Sequence, residues 1–362
     1  MDVFVMGLAV HPPASRIADK RLEEMVFDTA RAALDDAGVH RSQIDHVTIA
    51  GCDELDGRSI SSMLLAAPSG ALLKDEVKCT DSGLTAFCLG AMKVESEVLD
   101  LGLVVSWSKP STAPVEDVMR MRCEPFFTRP IGINMSIADG LFAQGLAEAY
   151  GIDETDATQA VIEACGRAVR NPRGMGRAAP PASQIAASPY LAAPLRKGHQ
   201  APITDGAVAM VLASAKWLSA NPNARPLARV AGIGWRNEEF DLGRDRLTAL
   251  AGFRAAIEDA VEMAGLESAG DLDLLELDCQ TGWHAAAYEA ALGHDVPLLT
   301  PSGGAFAQNP YFCMGLINAA EAVLQVSDRA GPLQIAGASL AGAHGSHGFA
   351  QQAHVAAIFE RV

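Results

Sequence analysis

Residues 22–49, LEEMVFDTARAALDDAGVHRSQIDHVTI, and residues 247–277, LTALAGFRAAIEDAVEMAGLESAGDLDLLEL, spell one order twice: an amphipathic helix stopped at Ala-Gly, a short polar turn, then a strand. A second pair follows. EVKCTDSGLTAFCLGAMKVESEVLDLGLVVSW in the first half and PLLTPSGGAFAQNPYFCMGLINAAEAVLQVSDRAGPLQIAGASL in the second both read as strand, glycine-containing turn, Ala-rich helix and strand. Two such correspondences about 225 residues apart restrict the chain to a duplicated α/β unit, with apolar helices buried between two sheets. Residues 1–222 form one half on this reading and residues 223–362 the other, with an insertion over about 110–190 in the first. The insertion mixes a Pro-containing polar loop with helices and gathers Arg167, Arg170, Arg173 and Arg177. Arg173 and Arg177 are candidates to hold a phosphate, and a solvated helix face followed by a loop is the plainer alternative.

Such a fold needs a large core. The 362 residues supply it with a hydrophobic share of 49% and a mean hydropathy of +0.14. A formal charge of −16 repels a phosphate backbone, so nucleic-acid binding is disfavoured. The opening MDVFVMGLAVHPP reads as a first strand rather than a signal peptide, and no apolar run reaches the roughly 18 residues of a membrane span. Seven scattered cysteines without CxxC spacing point to reduced thiols in a cytoplasmic protein and away from a metal site.

Three longer stretches carry a resemblance that covers nearly the whole chain. They are SPYLAAPLRKGHQAPITDGAVAMVLAS at 188–214, LELDCQTGWHAAAYEAALG at 275–293, and TPSGGAFAQNPYFCMG at 300–315. In this order they resemble the thiolase superfamily, most closely the branch typified by the thiolase domain of sterol carrier protein X and its bacterial lipid-transfer relatives. The resemblance implies a five-layer αβαβα fold built from two similar halves, a homodimer, and a coenzyme A thioester as substrate with no covalently bound cofactor. It also implies a cysteine thiolate at a buried helix terminus, a histidine to activate it, donors for the thioester oxygen, and an acid or base for the α-proton.

Matched residue by residue, the nucleophile position falls on Thr80, with Cys79 one place earlier and Ser82 beside it; the sequence leaves open which of the two occupies it. The histidine of the family's His-Asp-Cys segment is matched by Leu277, while Asp278 and Cys279 are kept. Gly303 and Gly304 allow close backbone approach to a thioester, but Asn309 stands where the family has a histidine, and an amide cannot take a thiol's proton. Tyr311 follows as a phenol able to exchange a proton. The stretch AGAHGSHGFAQQAHVAAIF matches the family's glycine-rich active-site loop and brings His344, Gly345 and His347 as substitutes for the missing base.

Three functions fit. The first is a thiolase-like acyltransferase that makes or cleaves a carbon–carbon bond on acyl-CoA, with Cys79 as nucleophile and His344 or His347 as base. The second is a retro-aldolase on a β-hydroxyacyl-CoA that needs no thiol and works with a zinc-ribbon/OB-fold acyl-CoA-binding partner. The third is a non-catalytic subunit of the same fold.

Overall fold

The computed structural model describes residues 2–293, 296 and 298–362. In chain order the strands are β1 Val3–Val10, β2 His46–Ala50, β3 Asp75–Cys79, β4 Leu101–Ser108, β5 Tyr190–Ala192, β6 Leu195–Arg196, β7 Gly206–Ser214, β8 Ala228–Asn237, β9 Leu274–Glu276, β10 Leu340–His347 and β11 Ala353–Glu360. The helices are α1 Leu22–Ala37, α2 Ser62–Leu65, α3 Gly83–Glu95, α4 Val115–Arg122, α5 Met135–Tyr150, α6 Glu154–Ala168, α7 Ala182–Ala186, α8 Ala215–Ala220, α9 Arg244–Ala249, α10 Ala251–Met263, α11 Gly282–Leu292 and α12 Met314–Val326.

Among the described residues nine strands run in the order β3-β2-β4-β7-β1-β8-β11-β10-β9. The first five come from one half and the last four from the other, joined by antiparallel β1–β8 pairing from Val3↔Val230 to Val5↔Ala228. β4 and β7 are buried along their whole length, which is why LGLVVSWS and GAVAMVLAS lack the alternation of a half-exposed strand. Helix α1 covers the outer face of the first half through Met25, Val26, Ala33 and Leu34. Helix α10 covers the second through Phe253, Ile257 and Ala260. Between the two parts of this sheet α3 and α12 pack Leu84, Phe87 and Cys88 against Leu316, Ala320 and Val323, which completes an αβαβα sandwich. This is the thiolase fold anticipated above. No described helix is long and apolar enough to cross a membrane.

Every residue of α12 is buried, including three polar ones. Each finds a partner: Asn318 Nδ2 donates to the His344 carbonyl at 2.9 Å, Gln325 Nε2 to the Leu333 carbonyl at 2.9 Å, and Glu321 Oε1 accepts from Arg173 Nε at 2.9 Å. These bonds fix the helix in one register, although the Asn318 Oδ1 is buried without a partner.

Two expectations need correction. The run DVPLLTPS, of which Asp295 and Pro297 lie outside the described residues, does not form a full strand where it is described. Only a parallel bridge Leu275↔Leu299 is present, because Ser302 turns its N–H and hydroxyl to Glu276, at 3.0 and 2.6 Å, and leaves the ladder. The glycine-rich stretch around His344 is no loop but strand β10, paired with β11 from Leu340↔Glu360 to His347↔Ala353.

Gly345 shows why that strand is glycine-rich. A Cβ there would lie 2.7 Å from the Gly315 Cα and 3.3 Å from the Leu84 Cβ, so β10, α12 and α3 meet without intervening side chains. Gly345→Ala is expected to destabilise the fold by about 1–3 kcal/mol, the usual cost of overpacking. Urea unfolding of the purified variant checks this, and an unchanged midpoint would refute it.

Candidate functional site

A small cavity of about 70 Å³ opens where the ends of several elements meet. Helices α4 and α5 give Glu116, Met135 and Asp139, the segment after β9 gives Asp278 and Gln280, the turn before α12 gives Asn309, Tyr311 and Phe312, and the end of β10 gives Ser346 and His347. Four stretches far apart in the chain, at 115–139, 278–280, 309–312 and 346–348, therefore help to build it. No cysteine lines it among the described residues.

Its floor is a hydrogen-bonded chain. Asn309 Nδ2 donates to Gln280 Oε1 at 2.8 Å, and Gln280 Nε2 donates to Asp278 Oδ1 at 2.6 Å. Asp278 Oδ2 accepts from the Ser346 backbone N–H at 3.0 Å and its hydroxyl at 3.2 Å. Asn309 is pinned from behind by Thr204, through N–H to Oγ1 at 3.0 Å and carbonyl to N–H at 2.9 Å. That leaves its Oδ1 buried without a partner. Burial raises the Asp278 carboxyl, opposed by its bonds to Gln280 and Ser346. Tyr311 is half-buried, and burial pushes its phenol well above the ordinary range, helped by the charges of Asp139, Glu116, Asp81 and Asp278. The phenol thus stays protonated, as a donor.

The two candidate histidines of β10 separate. Residues three apart in a strand face opposite sides. His344 is fully buried, edge-on to Phe253 at 5.1 Å and Tyr288 at 5.5 Å. The Asp278 N–H donates to its Nδ1 at 3.4 Å, so its Nε2 carries the hydrogen and donates to His354 Nδ1 at 3.0 Å. Burial, with His284 nearby, holds His344 down to about 3. His347 does line the cavity. Burial lowers it, Asp81 raises it, and its Nδ1 has no partner.

At the α3 terminus Ser82 is the N-cap, its Oγ accepting from the Thr85 N–H at 3.1 Å. Thr80 is exposed, and Asp81 adopts a left-handed φ of 70°. Its Oδ2 pairs with Arg122 while Oδ1 is buried and unpartnered. Cys79 ends β3 inside the core, and burial pushes its thiol up to about 11. Neither Cys79, Thr80 nor Ser82 lines the cavity.

The remaining candidates serve contacts within the chain. A Cβ on Gly303, which has a φ of 83°, would meet the Ala168 backbone at 2.6 Å, and one on Gly304 would meet Thr300 Cγ2 at 2.8 Å. Arg173 turns inward to Glu321, and Arg177 donates to Ser15 Oγ at 2.5 Å, so they do not converge on a common point. Asp139, Glu116, Gln280 and Ser346 are cavity residues that the motif comparison passed over. Asp139 had a legible signal: it is an acid on the apolar stripe Met135, Phe142, Ala143, Leu146 of an otherwise small-residue helix.

No protein-family model matches the chain. In sequence it is similar to an acetyl-CoA acetyltransferase of Methanothermobacter thermautotrophicus, 25% identical over 376 aligned residues covering 95% of each chain. In structure it is similar to human mitochondrial 3-ketoacyl-CoA thiolase, alone and in complex with CoA, with a TM-score of 0.81 at 18% identity over 99% of this chain and 98% of that one. It is also similar to the Ltp2–ChsH2(DUF35) aldolase, with a TM-score of 0.79 at 16% identity over 99% and 98% of the two chains. These likenesses give the chain the thiolase fold and support a place in the thiolase superfamily.

Proposed function

We propose that this thiolase-fold chain acts on an acyl-CoA thioester, making or cleaving a carbon–carbon bond beside the thioester carbonyl, and that it does so without an acyl-cysteine intermediate. The observation that carries the reading is the cavity itself. It gathers Asn309, Tyr311, Asp278 and His347 at the meeting of the two halves, with no thiol on its walls. Acyl transfer without an enzyme thiol needs three things: a base for the α-proton, donors for the enolate oxygen, and a second thioester whose carbonyl takes the carbanion as CoA thiolate leaves. Tyr311 is the donor in this account. The Asn309–Gln280–Asp278 chain holds the polar wall in place.

A second reading is retro-aldol cleavage of a β-hydroxyacyl-CoA, which likewise needs no thiol on the cavity wall. A base takes the hydroxyl proton, the Cα–Cβ bond breaks, and its electron pair forms the same thioester enolate, which is then protonated at Cα. A zinc-ribbon/OB-fold partner belongs to this reading. A homodimer and a cytoplasmic setting belong to both. The first is supported by β3 standing at the sheet edge, the second by free thiols at all seven cysteines.

Turnover of acetyl-CoA and of a β-hydroxyacyl-CoA series, followed by CoA release and intact mass, tests the proposal. Product without an acyl adduct is expected, and Cys79→Ala should keep activity within about threefold, since Cys79 does not line the cavity. A one-acyl mass increase lost in Cys79→Ala would restore an ordinary thiolase mechanism. No turnover of either substrate class, even with a zinc-ribbon/OB-fold partner added, would leave the non-catalytic subunit.

A further inference from the structure

We propose that Asp139 is the general base that takes the substrate's α-proton, paired with Tyr311 as donor to the thioester oxygen; this rests on the acyl-CoA reading above. Three carboxylates line the cavity, and their bonding separates them. Asp278 has both oxygens engaged by Gln280 and Ser346, and Glu116 Oε1 accepts from Ser136 Oγ at 2.8 Å. Asp139 is 6% exposed, and its Oδ1 is buried with no partner at all. An unpartnered buried carboxylate weakens a fold, so folding gives no reason for this one. Function does: Asp139 lines the cavity, and a carboxylate not tied up in hydrogen bonds is what a base requires.

The residue is rigidly held. Asn134 caps α5 by accepting from the Ile137 N–H at 2.9 Å. A Cβ on Gly140 would meet Ala192 at 2.5 Å and one on Gly145 the Leu247 carbonyl at 2.5 Å, so α5 sits directly on β5 and α9. The titratable groups around it are Glu116 from α4, Tyr311, Asp278 and His347, which line the same cavity, and Tyr288 from α11. Burial, then the Glu116 charge, brings the Asp139 acid up to about 7. Among those carboxylates Asp139 acts most strongly on the Tyr311 phenol.

The step balances. The Cα–H bond breaks, its electron pair forms the enolate double bond, the carbonyl pair moves onto the oxygen facing Tyr311, and the proton goes to Asp139. When the carbanion attacks a second thioester, a Cα–C bond forms, the C–S bond breaks, and the departing CoA thiolate takes the proton from Asp139. Asp139 ends as it began.

The test is exchange of the methyl hydrogens of acetyl-CoA in D2O, read by mass spectrometry, for the wild type and Asp139→Asn. The variant should exchange about 10²–10⁴-fold more slowly, the usual contribution of a general base. Its melting temperature supplies the second readout. A carboxyl whose folded pKa lies above its unfolded one costs stability as pH climbs between the two, here from about 4 to about 7. Asp139→Asn should therefore melt higher than the wild type at pH 8.5 and gain less at pH 5. Exchange retained within about threefold by Asp139→Asn, or melting below the wild type at both pH values, overturns this inference alone. No exchange by the wild type sinks the acyl-CoA reading and this inference with it.

Discussion

Tyr311→Phe is expected to lower kcat by about 10²–10³-fold, the loss seen when one donor to a developing oxyanion is removed, with little change in KM. The phenol is the one group on the cavity wall whose surroundings hold it protonated from several sides at once: burial first, then Asp139, Glu116, Asp81 and Asp278. On the proposed acyl-CoA reading, a group kept neutral there donates a hydrogen bond to the thioester oxygen and gains most when that oxygen becomes an enolate. The substitution removes only the hydroxyl. The ring keeps its edge contact with Phe312 at 4.6 Å, so the variant should fold as the wild type does. Steady-state kinetics beside a circular-dichroism melt decides the matter. A kcat within about threefold of the wild type at an unchanged melting temperature would remove Tyr311 from the chemistry.

The largest effect on stability is expected at Arg173. Its guanidinium meets Glu321, whose side chain is 2% exposed, and Asn171 Nδ2 bridges the same carboxylate at 3.0 Å and the Ser302 carbonyl at 3.1 Å. Glu276 lies close by, fully buried, its acid pushed up to about 8 by burial and the Glu321 charge. Arg173→Met removes the cation that neutralises this pair and leaves Glu321 buried and unpaired. A loss of about 3–5 kcal/mol near neutral pH follows, the range for breaking one side of a buried ion pair. Urea unfolding of the purified variant near neutral pH measures it, and a deficit below about 1 kcal/mol, the worth of an exposed pair, would contradict the account.

Much of the fold was legible because its signals are local. Helix α1 ends at Ala37 with Gly38 at φ 65°, as an Ala-Gly stop predicts, and the buried α3 and α12 announce themselves as runs of small and apolar residues. The site was less legible because its signals are not. Arg173 finds its carboxylate 148 residues away, so a cluster of arginines in sequence resembled a phosphate site when its central member belongs to the core. His344 and His347 looked like partners only while the glycines between and beside them read as a loop. Pairing with β11 turns those glycines into a strand and the histidines to opposite faces. Asp139 was harder to see, since its one local signal is an acid on the apolar stripe of a small-residue helix.

The hydrogen-bonded chain Asn309–Gln280–Asp278–Ser346 has a consequence for selectivity. Four residues from three separate segments are locked together before any substrate arrives, so the polar wall cannot rearrange to suit each ligand. Such a wall discriminates by omission. A ligand that brings a donor to its unpartnered acceptor, the buried Asn309 Oδ1, gains a bond, while one of equal shape without a donor leaves that oxygen unpaired. Discrimination between ligands of the same size is thereby set when the chain folds, and a ligand has only to fit it.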